Sequence, residues 1–281
     1  MSFGSISVVV PHYNRPALVR EAIESIVNQT LPPSEILLVD DHSTPANRAA
    51  LESLSPLATI LSTPRNLGPG VRNYAARQAR GEWLAFLDDD DLWLPDKLER
   101  QVRYLEAHPT CEALGGGMLM VTPGGKREFW GGTETRRLTL ADALFYTASM
   151  PQALLIRREL FLALGGFDAR LRHLEDYEFG IRLLAAGHEM HFLGEPLFLY
   201  RRGGREQLSL QWRGMFLSEL RVLRTHSRLA RRAFGLLGPV RLYARCYKKY
   251  GLRRGRLVGR SVWGVGCALE AFFGRQAGQY D

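Results

Sequence analysis

Cysteine is scarce: three in 281 residues, Cys111, Cys246 and Cys267, far apart and without a C-x-x-C pair. That spacing excludes a zinc knuckle and a disulfide framework, and it fits a reducing cytosol. No uninterrupted apolar run reaches the roughly 18 residues that would cross a bilayer. The opening "MSFGSISVVVPHYN" lacks a basic segment before its apolar run, so no signal peptide is expected there. The seven histidines fall into no metal-ligand spacing, and no repeat or low-complexity tract occurs. Acid is missing from one region in particular. Residues 201–260 carry 17 Lys/Arg against Glu206 and Glu219, while the rest of the chain has 20 basic and 27 acidic residues. An acidic-leaning body therefore precedes a strongly basic C-terminal part. Apolar residues at 46% and charged residues at 23% exclude a globally disordered chain.

What is present alternates between short apolar runs and helical patterns. "SISVVVP" (5–11), "EILLVDD" (35–41), "TILST" (59–63) and "WLAFLD" (83–88) read as strands. Between and after them, "PALVREAIESIVNQ" (16–29), "PANRAALESL" (45–54), "GVRNYAARQAR" (70–80) and "PDKLERQVRYLEAH" (95–108) read as helices. In the first of these Leu18, Ala22, Ile23 and Ile26 share a face. This predicts an α/β fold with a mainly parallel central sheet flanked by helices. From residue 110 the pattern becomes mixed: "EALGGGMLMVTPGGKREFW" (112–130) is a strand and turn. "ALLIRRELFLALGGFD" (153–168) is a strand entering a helix, and "EDYEFGIRLLAAG" (175–187) is a helix closed by Gly187. The expected division is a body of residues 1–204, with halves 1–110 and 111–204, and a basic helical extension over 205–281.

Ligands of parallel sheets sit at the carboxyl ends of the strands. Asp40 and Asp41 lie at one such end, and "DDDD", Asp88 to Asp91, at another. A lone acidic run is ordinarily a solvated turn. Here it follows a buried strand directly, and a second acidic pair shares its edge. Hard divalent cations take one or two carboxylates with substrate phosphates, and a cation relieves the repulsion of crowded aspartates. In Asp88-x-Asp90 both carboxylates can turn to one point. Glu175 and Asp176, taken alone, suit a helix N-terminus equally well. Asn66, Gly68 and Gly70 read as a turn that also allows close backbone approach. Asn73 and Trp93 read as packing or capping residues, and His173 is assigned no role.

The ordered pieces "VVVPHYNRP", "SIVNQT", "EILLVDDHST", "RNLGPGVRNYAARQARGEWLAFLDDDDLWLPDKLE", "RRELFLALGGFD" and "EDYEFGIRLLAAG" resemble the family 2 glycosyltransferases of the GT-A fold over about residues 5–200. The resemblance implies an inverting transfer of a sugar from a nucleotide-diphosphate sugar to a hydroxyl acceptor, with Mn²⁺ or Mg²⁺. It implies nucleotide contacts at Pro11, Tyr13, Asp40 or Asp41, Arg72, Asp88 and Asp89, metal ligation at Asp90, and the catalytic base at Asp176. The matched base-contacting positions point to UDP. Many relatives carry an Arg-x-His-like segment where this chain reads "YRRGGREQLS" (200–209). Without that His, either Arg201, Arg202 or Arg205 contacts the diphosphate instead, or the third metal ligand is missing. The Q-x-x-R-W signature of processive synthases is also absent, so single transfers are expected. The competing readings are a nucleotidyltransferase and a non-catalytic nucleotide-sugar-binding protein. The first would show a Gly-rich basic loop after the first strand, which "VVVPHYNRPAL" lacks.

The basic part has no recognised nucleic-acid fold or aromatic platform, so no nucleic acid is expected. "FGLLGPVRLYARCYKKYGLRRGRLVGRSVWGVGCALEAFFG" (234–274) mixes Arg/Lys with Leu, Tyr, Trp and Phe. Such a segment suits an anionic membrane surface. The expected acceptor is a carbohydrate or a lipid-linked molecule in cell-surface polysaccharide or glycolipid synthesis. The expected location is the cytoplasm, peripheral to the inner face of the membrane.

Overall fold

A computed structural model describes residues 3–122, 124–125, 127–147, 150–201 and 212–251. Its first third is the anticipated alternation: β1 (Ile6–His12), α1 (Pro16–Val27), β2 (Glu35–Asp40), α2 (Pro45–Leu51), β3 (Thr59–Ser62), α3 (Gly70–Gln78) and β4 (Trp83–Phe86). These four strands pair in parallel in the order β3-β2-β1-β4. Both faces of β1 are covered, which is why its sequence is an apolar run rather than an alternation. Val8 and Val10 enter a core with α1, and Val9 enters the opposite one with α3. On α1 the buried face is Val19, Ala22, Ile23 and Ile26, so Val19 takes the place expected for Leu18. The expected helix over 45–54 divides into α2 and a single 3₁₀ turn, Glu52–Leu54.

Beyond β4 the chain forms β5 (Leu92–Trp93), α4 (Lys97–Ala107), β6 (Ala113–Val121), β7 (Arg127–Trp130), β8 (Arg136–Arg137) and α5 (Leu140–Phe145). A 3₁₀ turn, Pro151–Ala153, leads to β9 (Leu155–Arg157) and α6 (Arg158–Ala163). Then come α7 (Glu175–Ala185) and β10 (Met190–Arg201). The sheet continues β4-β9-β6-β10-β5, with β9 antiparallel to both its neighbours and β10 parallel to β6. The mixed second half is therefore as expected. Helix α4 starts at Lys97 rather than Pro95, whose carbonyl accepts the Thr30 N–H at 2.9 Å.

Four rings fix the region beneath α7. Phe86, Phe161, Phe167 and Phe179 pack with centroids 5.1–5.6 Å apart. Such pairs contribute about 0.5–1.5 kcal/mol each beyond their burial. They join the central strand β4 to α6, to the turn after it and to α7. The basic part forms α8 (Trp212–Thr225), α9 (Ser227–Phe234) and α10 (Gly238–Gly251). These helices lie against the body: Phe234 meets Phe145 edge-on at 4.8 Å, and His226 Nε2 lies 3.1 Å from Glu178 on α7. Buried Glu219 on α8 accepts Arg245 at 2.7 Å and Lys249 at 2.8 Å from α10. Residues 202–211 and 252–281 lie outside the described residues, and with them Arg202, Arg205 and most of the membrane-suited segment.

Candidate active site

The strand ends carry the chemistry, as parallel topology requires. At the end of β1, Pro11 is partly buried and Tyr13 is 47% exposed, its ring available to a ligand. Asn14 turns the chain at φ 55, and its side chain accepts the Thr44 N–H and the Asn47 amide. Asp40 and Asp41, equivalent by sequence, are separated here. Fully buried Asp40 accepts the Ser43 N–H and the Arg48 guanidinium at 2.8 Å, which ties β2 to α2. Asp41 accepts Thr63 Oγ1, the Leu67 N–H at 2.7 Å and the Gly68 N–H at 2.9 Å, which shapes the loop entering α3.

The four aspartates form a turn, with the Asp91 N–H donating to the Asp88 carbonyl. Carboxylate oxygens of Asp88, Asp90 and Asp91 lie within 4.8 Å of one another. The convergence expected of Asp88 and Asp90 is present, and Asp91 joins it. Burial pushes the Asp90 carboxyl up, and Asp88 adds to that; Asp91, almost wholly buried, is pushed up further for the same reasons. Three converging oxygen donors, two of them on carboxyls that burial makes costly to ionise, suit one hard divalent cation: its charge offsets both burial and repulsion.

Asp89 turns the other way. It is buried against His12, with Nδ1 3.0 Å from its carboxylate, and Arg15 Nη1 lies 3.5 Å from its second oxygen. Arg15 also holds Asp90 at 2.7 Å. The Gln152 amide donates to both Asp88 and Asp91 at 2.8 Å. Arg201 braces the same turn. Its N–H meets Asp91, its Nε the Asp90 carbonyl at 2.6 Å, and its Nη1 Glu21 at 2.6 Å.

Arg72, on α3, connects this cluster to α7. It bonds Asp88 and reaches Glu175 at 3.3 Å. Burial alone would lower its affinity for the proton, but Asp88 and Glu175 outweigh that and hold it charged. Beside Glu175 is Asp176, whose Oδ1 accepts the Tyr177 N–H at 2.8 Å. Burial raises both carboxyls, Asp176 to about 6, against the pull of Arg72. Neither residue is the N-cap of α7. That position belongs to Leu174, held left-handed at φ 64 without a side-chain cap. Strained non-glycine residues of this kind collect at functional sites. The Asn73 side chain clasps the Phe167 backbone in both directions, at 2.7 and 2.9 Å, and Trp93 donates to the Gln152 carbonyl, so both are packing residues as expected.

The structure thus brings Arg72, Asp88, Asp90 and Asp176 to one edge and adds His12, Arg15, Gln152 and Glu175. Arg15 lies inside the "VVVPHYNRP" piece, two residues past Tyr13, and Glu175 adjoins the proposed base, so position could have marked them. For Gln152, in a turn 61 residues from Asp91, no sequence signal exists.

Comparison with known proteins bears on the family and the fold. The family model described as Glycosyl transferase family 2 matches residues 7–162. A Haemophilus influenzae protein named an uncharacterized glycosyltransferase is 37% identical over 191 residues, 64% of this chain and 62% of that protein. A Methanocaldococcus jannaschii protein with the same description is 30% identical, with 79% of each chain covered. The amylovoran biosynthesis glycosyltransferase AmsE of Erwinia amylovora is 28% identical over 70% of this chain and 76% of its own. Among solved structures, S. aureus TarS 1-349 in complex with UDP-GlcNAc superposes with TM-score 0.64 at 18% identity, covering 96% of this chain and 91% of that one. The mannosyltransferase PcManGT of Pyrobaculum calidifontis, in complex with GDP-Man and Mn²⁺, gives 0.58 at 20% identity, over 97% and 76%. The fold is that of the GT-A transferases.

Proposed function

The chain belongs to glycosyl transferase family 2, and from that premise we propose that it moves a sugar from a nucleotide-diphosphate sugar, a UDP-sugar by its base-contacting positions, to a hydroxyl acceptor with inversion. One observation carries the reading. A single part-buried arginine, Arg72, bonds a carboxylate of the aspartate turn and a carboxylate beside Asp176. A donor-binding cluster and a candidate general base are thereby held on one edge.

The division of labour follows. Tyr13 and Pro11 flank the nucleotide base, and Asp41, at the mouth of the 65–68 loop, meets its edge. Asp88, Asp90 and Asp91 would hold Mn²⁺ or Mg²⁺, with Asp90 the ligand named from sequence. The ion, when bound, neutralises charge on the departing diphosphate. Gln152, Arg15 and Arg201 keep the aspartate turn in shape. Asp176 accepts the proton of the acceptor hydroxyl as it attacks the anomeric carbon from the face opposite the diphosphate, and one carboxylate suffices for that displacement. Arg72 keeps Asp88 and Glu175 from repelling the anionic donor. Arg201 stands beside Asp90 for a diphosphate contact, and Arg205 is the second residue proposed for it.

The acceptor class is a carbohydrate or lipid-linked molecule in cell-surface polysaccharide or glycolipid synthesis, a reading supported by the similarity to AmsE. Buried free thiols at Cys111 and Cys246 support a cytoplasmic setting. Among the described residues no helix is long and apolar enough to cross a membrane.

The test is donor binding and turnover across a panel of nucleotide sugars, with and without Mn²⁺, in wild type, Asp90→Ala and Asp176→Asn. The expected result is cation-dependent donor binding lost in Asp90→Ala. Asp176→Asn should bind donor as wild type does while its turnover falls by about 10²–10⁴-fold. Failure of every nucleotide sugar to bind would overturn the reading.

A further inference from the structure

Among the described residues, the most exposed large hydrophobic ones outside the catalytic body are Leu217, Leu236 and Leu237, at 65%, 81% and 43%. Leu236 and Leu237 form the tip between α9 and α10, and two glycines hold them there. Gly235 is left-handed at φ 75, and its carbonyl accepts the Gly238 N–H at 2.9 Å. A Cβ on Gly238 would lie 2.2 Å from the Ala230 carbonyl oxygen, so only glycine lets the turn close this tightly. The leucines are thus presented on a tight turn, exposed and outside the core formed by the described residues.

The surrounding surface is cationic. Arg228, Arg231 and Arg232 recur at helical spacing on the exposed face of α9, and Arg224 is exposed at the end of α8. None of the four side chains has a hydrogen bond or ion pair among the described residues. The one acid within 212–251, Glu219, is buried under Arg245 and Lys249 and neutralises nothing outside. Meanwhile the inward face of α9 is anchored: Ala230 is buried, Phe234 meets Phe145, and His226 bonds Glu178 on the first turn of α7.

We propose that the α9–α10 tip is an anionic-membrane docking surface, with Leu236 and Leu237 entering the acyl boundary and Arg224, Arg228, Arg231 and Arg232 meeting lipid phosphates. Projecting leucines beside unpaired guanidiniums match the two layers of such an interface, apolar below and anionic above. A nucleic acid would satisfy the arginines and leave the leucines wet. A two-fold contact between copies would set arginine against arginine. Because α9 is tied to the first turn of α7, docking would fix the height of Asp176 above the bilayer. Only that consequence, access to a lipid-linked acceptor, rests on the proposed function; membrane binding itself does not.

The experiment is co-sedimentation of the full chain with vesicles of phosphatidylcholine alone or mixed with phosphatidylglycerol. Wild type is expected to bind the mixed vesicles, to ignore the neutral ones, and to dissociate as salt is raised. Leu236→Asp with Leu237→Asp should weaken binding by at least roughly tenfold. Arg228→Glu, Arg231→Glu and Arg232→Glu together should weaken it by more than about 100-fold, each charge near the surface counting for about fivefold. Both variants should keep the wild-type melting temperature and cation-dependent release of nucleoside diphosphate, which separates failed docking from failed transfer. Vesicle binding indifferent to both variants and to salt would overturn the proposal. So would tighter binding to duplex DNA that the leucine changes leave intact, or a dimer that those changes dissolve.

Discussion

Glu175 and Asp176 share one helical turn and one buried environment, yet Arg72 touches only the first. That leaves Asp176 as the carboxylate free to exchange a proton. Burial holds its carboxyl up at about 6, so in the proposed role of base it would be ionised mainly above that value. Turnover should fall as pH drops through about 6, and Asp176→Asn should remove this acid limb along with most of the rate. Stability carries the opposite sign. A carboxyl whose proton affinity is higher in the folded chain than in the unfolded one supports folding below its ordinary value of 3.8. That support is lost as pH rises through about 6. Asp176→Asn should therefore raise the melting temperature at pH 8 and leave it unchanged near pH 4. Thermal scans of both proteins across that range test the sign directly.

At the scale of elements, the strands β1 to β4 were legible because a strand buried on both faces is a continuous apolar run, and its polar end stands out. Asp40, Asp41 and Asp88 could be placed on the ligand edge for that reason. The antiparallel entry of β9 between β4 and β6 was not legible. Its three residues, Leu155–Arg157, look like any short buried strand, and direction is decided by where the chain has come from. The partnerships of Asp89 with His12 and of Asp88 with Gln152 were hidden for a related reason. They join residues 77 and 64 apart, and no local pattern records such a meeting. The turn after α6 shows how narrow some of these placements are. Gly166 sits at φ 68, and a Cβ there would come within 2.3 Å of Asn73 Oδ1, the group that accepts the Phe167 N–H. Gly166→Ala should lower the unfolding free energy by at least about 2 kcal/mol, from left-handed backbone strain and a displaced Asn73. Urea unfolding would measure it.

For the molecule as a whole, the described C-terminal helices are bound to the body by polar as well as aromatic contacts, and Glu219 is the charge that fastens α8 to α10. Burial would push its carboxyl up, but Arg245 and Lys249 outweigh that and hold it below the ordinary range. Its contribution to stability is thus present above the unfolded-state value and lost as pH falls. Glu219→Gln should cost less than the ~3–5 kcal/mol of a fully buried broken pair, since both cations reach solvent. Hydrogen exchange should quicken first in α8 and α10. The aspartate turn has a consequence of another order. Crowded carboxylates that are costly to keep ionised make the empty protein a poorer competitor against its own unfolded chain, and whatever cation settles there repays that deficit. Under the proposed cation binding, binding and folding become one equilibrium, so that the fraction of folded protein would report the concentration of the ion. Adding Mn²⁺ without any sugar nucleotide should raise the melting temperature of the wild type and leave Asp90→Asn unmoved. On the proposed cation binding, depletion of divalent ions would lower the folded fraction together with the activity.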